Sequence, residues 1–149
     1  WDNTKVMRGN LVAANWQGAA DVAASTTAWV KVSKDQTEGD LIDKGWGVRW
    51  RMVSGNGTVR PQLQVHDGVT LTTSNGTTFV KPYRQAFKLV YEGATGTLTM
   101  FDADGTQLGT VTGGPTGDDT TYWMVEAGQT NADGASRSGY VQNLSLVTE

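Results

Sequence analysis

The sequence of 149 residues has no cysteine. That excludes a disulfide framework, a thiolate nucleophile and any Cys-based zinc site. Charge is scarce too: Asp, Glu, Lys and Arg make up 18% of the chain and the net charge is −3. Whole-domain attraction to nucleic acid or to an anionic membrane is therefore not expected. With a single histidine, any Ser-His-Asp site would have to use His66. No run approaches the ~18 to 20 apolar residues of a membrane span, so no insertion is expected. Helical periodicity is also missing. Leu11–Ser25 is Ala-rich but lacks an apolar stripe and is interrupted by Gly18, which points to extended structure with a short turn. The opening residue is Trp1 rather than Met, so a processed or excised piece of a longer protein is expected.

What the chain does have is a period of 2. In Thr26–Lys34, Val30 and Val32 fall on one side and Trp29, Lys31 and Ser33 on the other. In Trp46–Val53, Trp46, Val48, Trp50 and Met52 alternate with Gly47, Arg49 and Arg51. Ser54-Gly55-Asn56-Gly57 is turn chemistry, after which Val59, Pro61, Leu63 and Val65 alternate with Arg60, Gln62, Gln64 and His66. Ala86–Glu92 groups Phe87, Leu89 and Tyr91, and Gly93–Gly96 turns the chain into Thr97–Phe101. Asp102-Ala103-Asp104-Gly105 then favours a tight turn with positive φ, and Gln107–Val111 returns. Thr121–Ala127 and Tyr140–Val147 close the series across a Gly/Asn/Ser-rich loop. Strands and turns at this spacing predict an all-β domain over residues 1–149, an antiparallel sandwich or barrel.

Phe87–Gly114, FKLVYEGATGTLTMFDADGTQLGTVTGG, resembles the strand, turn, strand, Asp-Gly hairpin, strand segment of concanavalin A-like lectin, glucanase and laminin-G-like jelly rolls. Gly139–Val147, GYVQNLSLV, is similar to the final strand that returns to the first in such domains. The resemblance implies a two-sheet antiparallel jelly-roll β-sandwich, with ligands on its concave face or at the rim loops. It carries over no binding residues, and the Glu-x-Asp-x-x-Glu strand of the related glucanases is absent.

The hairpin Trp46–His66 is the most informative stretch. If Val53 pairs with Thr58, paired positions sum to about 111 by strand register. Arg51 then opposes Arg60, Arg49 opposes Gln62 and Gly47 opposes Gln64. Trp50 meets Pro61, Val48 meets Leu63 and Trp46 meets Val65. Pro61 cannot donate to a ladder and suggests a bulge or an edge. One face is core. The other gathers Arg49, Arg51, Arg60, Gln62, Gln64 and His66, a set of donors suited to sugar hydroxyls and to bidentate carboxylate or sulfate recognition. Opposed arginines destabilise a sheet unless a counter-charge arrives, from Glu126 or Glu92 on another strand or from an anionic ligand. A solvated outer face is the competing explanation.

Among the aromatics, Trp46 and Trp50 belong to the core. Trp29 shares its side with Lys31 and is the candidate for an exposed sugar-stacking ring. Trp123 goes with Val125 and Ala127, leaving Tyr122, Met124 and Glu126 opposite, so Tyr122 and Glu126 join the candidate ligand face. Asp102, Asp104 and the pair Asp118-Asp119 could furnish calcium oxygens, although Asp-x-Asp-Gly is most often only a turn; no other cofactor is implied. No pair of carboxylates stands out for a glycosidase or lyase. These residues predict a non-catalytic module for a polysaccharide, an acidic one by its arginines, on a secreted, cell-surface or virion protein. The alternatives are a self-associating homo-oligomeric assembly domain of a phage or surface appendage, and a glycoside hydrolase or polysaccharide lyase.

Overall fold

The computed structural model of the chain describes residues 1–12, 27–34, 40–53, 58–80, 84–117, 124–130 and 140–149. Their strands are β1 Thr4–Val12, β2 Thr27–Ser33, β3 Gly45–Val53, β4 Thr58–His66, β5 Leu71–Asn75, β6 Phe79–Val80, β7 Arg84–Glu92, β8 Thr97–Phe101, β9 Gln107–Thr112, β10 Met124–Thr130 and β11 Tyr140–Thr148. They form two antiparallel sheets. One runs β11-β1-β7-β8-β9; the other runs β10-β2-β3-β4-β5, with β6 also pairing to β4. The final strand does return to the first, as β11 on β1. Among the described residues no helix is long and apolar enough to cross a membrane.

The inward faces follow the period-2 pattern. Ala28, Val30 and Val32, then Trp46, Val48 and Trp50, then Val59, Leu63 and Val65 line one sheet. Met7, Leu11, Phe87, Leu89, Tyr91, Leu98, Met100 and Val111 line the other. Aromatic pairs stitch the layers together: Trp46 stacks on Tyr91 at 5.3 Å between ring centres, and Trp50 meets Phe87 at 4.9 Å. Such contacts add roughly 0.5 to 1.5 kcal/mol each beyond the area they bury. The Tyr91 hydroxyl donates to the Pro115 carbonyl, and burial pushes its pKa up.

The hairpin β3–β4 has the register expected from its sequence, with Arg51 on Arg60, Arg49 on Gln62, Gly47 on Gln64 and Trp50 on Pro61. Pro61 is neither at a bulge nor on an edge. Its carbonyl accepts from the Gly76 amide at 2.8 Å, so its nitrogen also faces the β5–β6 side of β4. There the pairing passes from β5, which ends opposite Gln62, to β6, which begins opposite Val59. The missing donor falls in that gap, so no ladder bond is lost. Gly105 takes the positive φ expected of the Asp-Gly turn, at 82°.

Candidate functional site

The outward face of the six-stranded sheet is assembled by register. Arg51 and Arg60 form one row, Trp29, Arg49, Gln62 and Asn75 the next, and Glu126, Lys31, Gly47, Gln64 and Thr73 the third. Ser33, Gly45, His66 and Leu71 complete it. Alternation puts these side chains away from the core because their chain neighbours are the core residues. Among the described residues the sequence-predicted donors thus come together, as does Glu126. Tyr122 lies outside the described residues, as do Trp123 and Asp118-Asp119.

The face is not uniformly open. The segment leading into β3 lies across its Gln64 side. Asp40 Oδ1 accepts from Arg49 Nη1 at 2.7 Å and from Gln64 Nε2 at 2.5 Å. The Leu41 amide donates to Gln64 Oε1 at 3.4 Å, and Leu41 is buried although it belongs to no part of the inter-sheet core. Gln64, 3% exposed, is consequently saturated and inaccessible. His66 is 7% exposed and its Nδ1 accepts from the Gly68 amide at 3.0 Å. These two expected ligand donors are buried, with hydrogen bonds made inside the fold.

Gly47, opposite Gln64, has no room for a side chain. A Cβ there would lie 2.5 Å from the Val30 carbonyl oxygen and 2.8 Å from Lys31 Cα. Its absence lets β2 and β3 approach closely and keeps the floor beside Gln64 low.

Trp29 requires a correction. It is 3% exposed, not a free stacking ring. On the paired strand β10 its register partner is Gly128, where a Cβ would sit 2.3 Å from the indole. The ring therefore covers a residue without a side chain, and its contact with β10 removes it from solvent. Trp29 Nε1 and the paired Arg49 Nε are both buried donors without an acceptor among the described residues.

The counter-charge also differs from the expectation. Glu92 is on β7, in the other sheet. Glu126 reaches Lys31, with Nζ to Oε2 3.7 Å. Arg49 instead pairs with Asp40, a residue outside the strands that also feels the charge of Arg51. Burial raises the Asp40 pKa, but hydrogen bonds from Gln64 and Arg49, with the charges of Arg49 and Arg51, outweigh that and hold it below 3.8. Arg60, half-buried, forms no ion pair or hydrogen bond among the described residues. The accessible part of the face is thus Arg51, Arg60 and Gln62, with Asn75 exposed at the edge and accepting from Gln62 Nε2 at 3.4 Å.

Of the calcium candidates, Asp102 caps its own turn. Asp102 Oδ1 accepts from the amides of Asp104 and Thr106 at 2.9 and 2.8 Å, which closes the hairpin turn. No group of three or more His, Asp or Glu side chains able to hold a metal occurs among the described residues.

No family model matches the chain, and no curated protein does. Solved structures do match. The CBM2 module of an evolved Dit from Lactobacillus casei BL23 phage J-1 superposes with a TM-score of 0.57 at 13% identity, over 97% of this chain and 61% of its own. The polysaccharide lyase family 18 aly-SJ02 gives 0.55 at 8%, over 99% and 73%. The heptameric SAP-like pentraxin of Limulus polyphemus gives 0.54 at 13%, over 97% and 63%. This chain thus spans about three-fifths of the length of the phage module. At such identities the likeness shows the fold, and that fold is the two-sheet antiparallel jelly-roll β-sandwich.

Proposed function

We propose that residues 1–149 form one non-catalytic carbohydrate-binding domain, which takes an acidic polysaccharide on the row Arg51, Arg60 and Gln62, with Arg49 behind it. The observation that carries this is Arg60, which lies directly opposite Arg51 and has no ion pair or hydrogen bond among the described residues, while Asp40 is committed to Arg49 and Gln64. Like charges across a sheet cost stability, and a uronate carboxylate or a sulfate arriving at Arg60 offsets that cost. A guanidinium fork matches either anion, and the Gln62 amide suits a neighbouring hydroxyl. Sharing a fold with a carbohydrate-binding module and a polysaccharide lyase supports this reading, as it supports a place on a secreted, cell-surface or virion protein.

Calorimetric titration with a uronate polysaccharide and a neutral glucan of equal length tests it. Arg60→Ala should weaken uronate binding by about 1.5 to 3 kcal/mol, the scale of a hydrogen bond to a charged group, and leave folding intact or improved. An Arg60→Ala protein that binds normally and loses stability would make Arg60 a structural residue and refute the proposal.

A second reading is an assembly domain that packs on copies of itself. It is favoured by the apolar side chains exposed on the neighbouring edge strands β10 and β11: Met124, Val125, Tyr140, Leu144 and Val147. Mass in solution separates the two. An obligate trimer or larger ring supports assembly, and a monomer at high concentration supports the binding module.

A further inference from the structure

The five-stranded sheet carries a second meeting of like charges, on the far side of the sandwich. Arg8 of β1 lies directly opposite Lys88 of β7. Both point away from the core, because Met7, Phe87 and Leu89 beside them point in. Arg8 is exposed and makes no ion pair or hydrogen bond among the described residues. The Lys88 ammonium rests 5.3 Å from the centre of the Phe101 ring.

The sheet is opened beside this pair. Arg8 pairs with Ser145 and Asn10 with Gln142, so Asn143 and Leu144 of β11 face Gly9 alone. Asn143 is the single non-glycine residue at positive φ among the described residues, at 52°. A side chain at position 9 could not be accommodated, since a Cβ would lie 2.8 Å from the Phe87 ring. The bulge borders a cleft of about 390 Å³ whose lining includes Arg8, Asn10, Ala86, Lys88, Asp102 and Asn143. Small-molecule sites span roughly 300 to 1,000 Å³, and bulges recur beside functional sites because they re-aim side chains. The Asp102 carboxylate in that lining is engaged through Oδ1 by its own turn.

We propose that this cleft is a second binding site, for a single carboxylate-bearing sugar unit. Arg8 and Lys88 supply two cations for the carboxylate. The Asn10 and Asn143 amides, neither hydrogen-bonded among the described residues, each offer a donor and an acceptor to ring hydroxyls. Ala86, opposite Asn10 on the outward side, keeps the floor low enough for a sugar ring to lie against the sheet. The site shares no residue with the Arg51–Arg60 row and does not depend on binding there.

Glucuronate, glucose and inorganic sulfate, titrated into the ¹⁵N-labelled chain, provide the test. Glucuronate should shift the amides of residues 8–10, 86–88 and 142–144. Arg8→Ala and Lys88→Ala should each weaken it about tenfold, the scale of one charge-assisted hydrogen bond, with thermal midpoints unchanged. Arg60→Ala should leave this binding as it is, and glucose should not bind. Sulfate binding there as tightly as glucuronate would reduce the cleft to an anion site and overturn the sugar assignment. So would glucuronate shifts confined to Arg51 and Arg60, or no shifts at all.

Discussion

Asp40 is the residue whose removal distinguishes most sharply between a solvated arginine face and an organised one. Two interactions end in Asp40→Ala. The ion pair to Arg49 joins side chains that are 17% and 49% exposed, so solvent screens it and it contributes about 0.5 to 1 kcal/mol. The hydrogen bond from Gln64 is different, because Gln64 is buried. Its amide would keep only the 3.4 Å contact to Gln62 Oε1, and a buried donor left poorly satisfied costs about 1 kcal/mol or more. Together these predict a loss of about 1.5 to 2 kcal/mol. For a domain of this size that is a fall in melting temperature of roughly 4 to 7 °C.

The pH dependence follows from the direction of the Asp40 shift. Its folded pKa lies below the ordinary 3.8, so the folded state favours the ionised form. The stability it contributes is complete above the unfolded value and disappears as pH falls through the lower, folded one. Urea midpoints of wild type and Asp40→Ala should therefore differ at neutral pH and converge in strong acid. Removing the carboxylate also frees Arg49, so affinity for a uronate polysaccharide should rise by about 0.5 to 1 kcal/mol. If Asp40→Ala matched wild type in stability at neutral pH and bound uronate no better, Asp40 would be a bystander. The face would then be merely solvated.

Three further outcomes are expected. Trp50→Ala should cost about 3 to 5 kcal/mol by denaturant titration, as a fully buried aromatic truncation; a loss within ~0.5 kcal/mol, the surface range, would contradict its place against Phe87. Gly47→Ala should destabilise by about 1 to 3 kcal/mol through overpacking, because its Cβ meets backbone atoms of β2; an unchanged midpoint would show that β2 and β3 are farther apart than described. Chelator should alter neither the melting temperature nor glycan binding, since Asp102 Oδ1 is engaged by its turn and no group of three metal-capable side chains occurs among the described residues; calcium-dependent binding would overturn this.

What the sequence makes legible is local and periodic. The β3–β4 register follows from alternation plus one short turn, because a slip by one would exchange Trp50 and Arg51 between core and solvent. Trp29 is different. Its burial depends on Gly128, nearly a hundred residues away, and nothing in TAWVKVS signals that a glycine will lie beneath the ring. Asp40 is hidden for the same reason, being a loop residue whose partners come from two strands. Strand β1 shows no clean alternation, since Val6 and Val12 are buried on the outward side while Met7 and Leu11 fill the core. Strand β5, an edge strand reading LTTSN, is polar on both faces and looks like loop. The expected start of β10 at Thr121 lies outside the described residues, and the strand is described from Met124.

The strongest rival to binding without turnover is a lyase, and His66 decides between them. Eliminating across a uronate needs donors on the carboxylate, a base for the adjacent ring proton and a proton for the departing glycosidic oxygen. Arginine, glutamine and histidine on one face supply the right residue types. Their engagement argues the other way. Gln64 is hydrogen-bonded at both ends, to Asp40 and Gln62 through Nε2 and to the Leu41 amide through Oε1. The His66 Nδ1 lone pair is taken by the Gly68 amide. A neutral imidazole holding that bond carries its proton on Nε2 and has no lone pair left to accept another. Its 7% exposure leaves no room for a sugar ring beside it. Prolonged incubation with a uronate polysaccharide should therefore give no new ultraviolet absorbance from unsaturated ends, and His66→Ala should bind the polymer as wild type does. Absorbance that grows with time and vanishes in His66→Ala would mean that the segment at Asp40 and Leu41 swings away from the face. The arginine row would then be the substrate clamp of an enzyme.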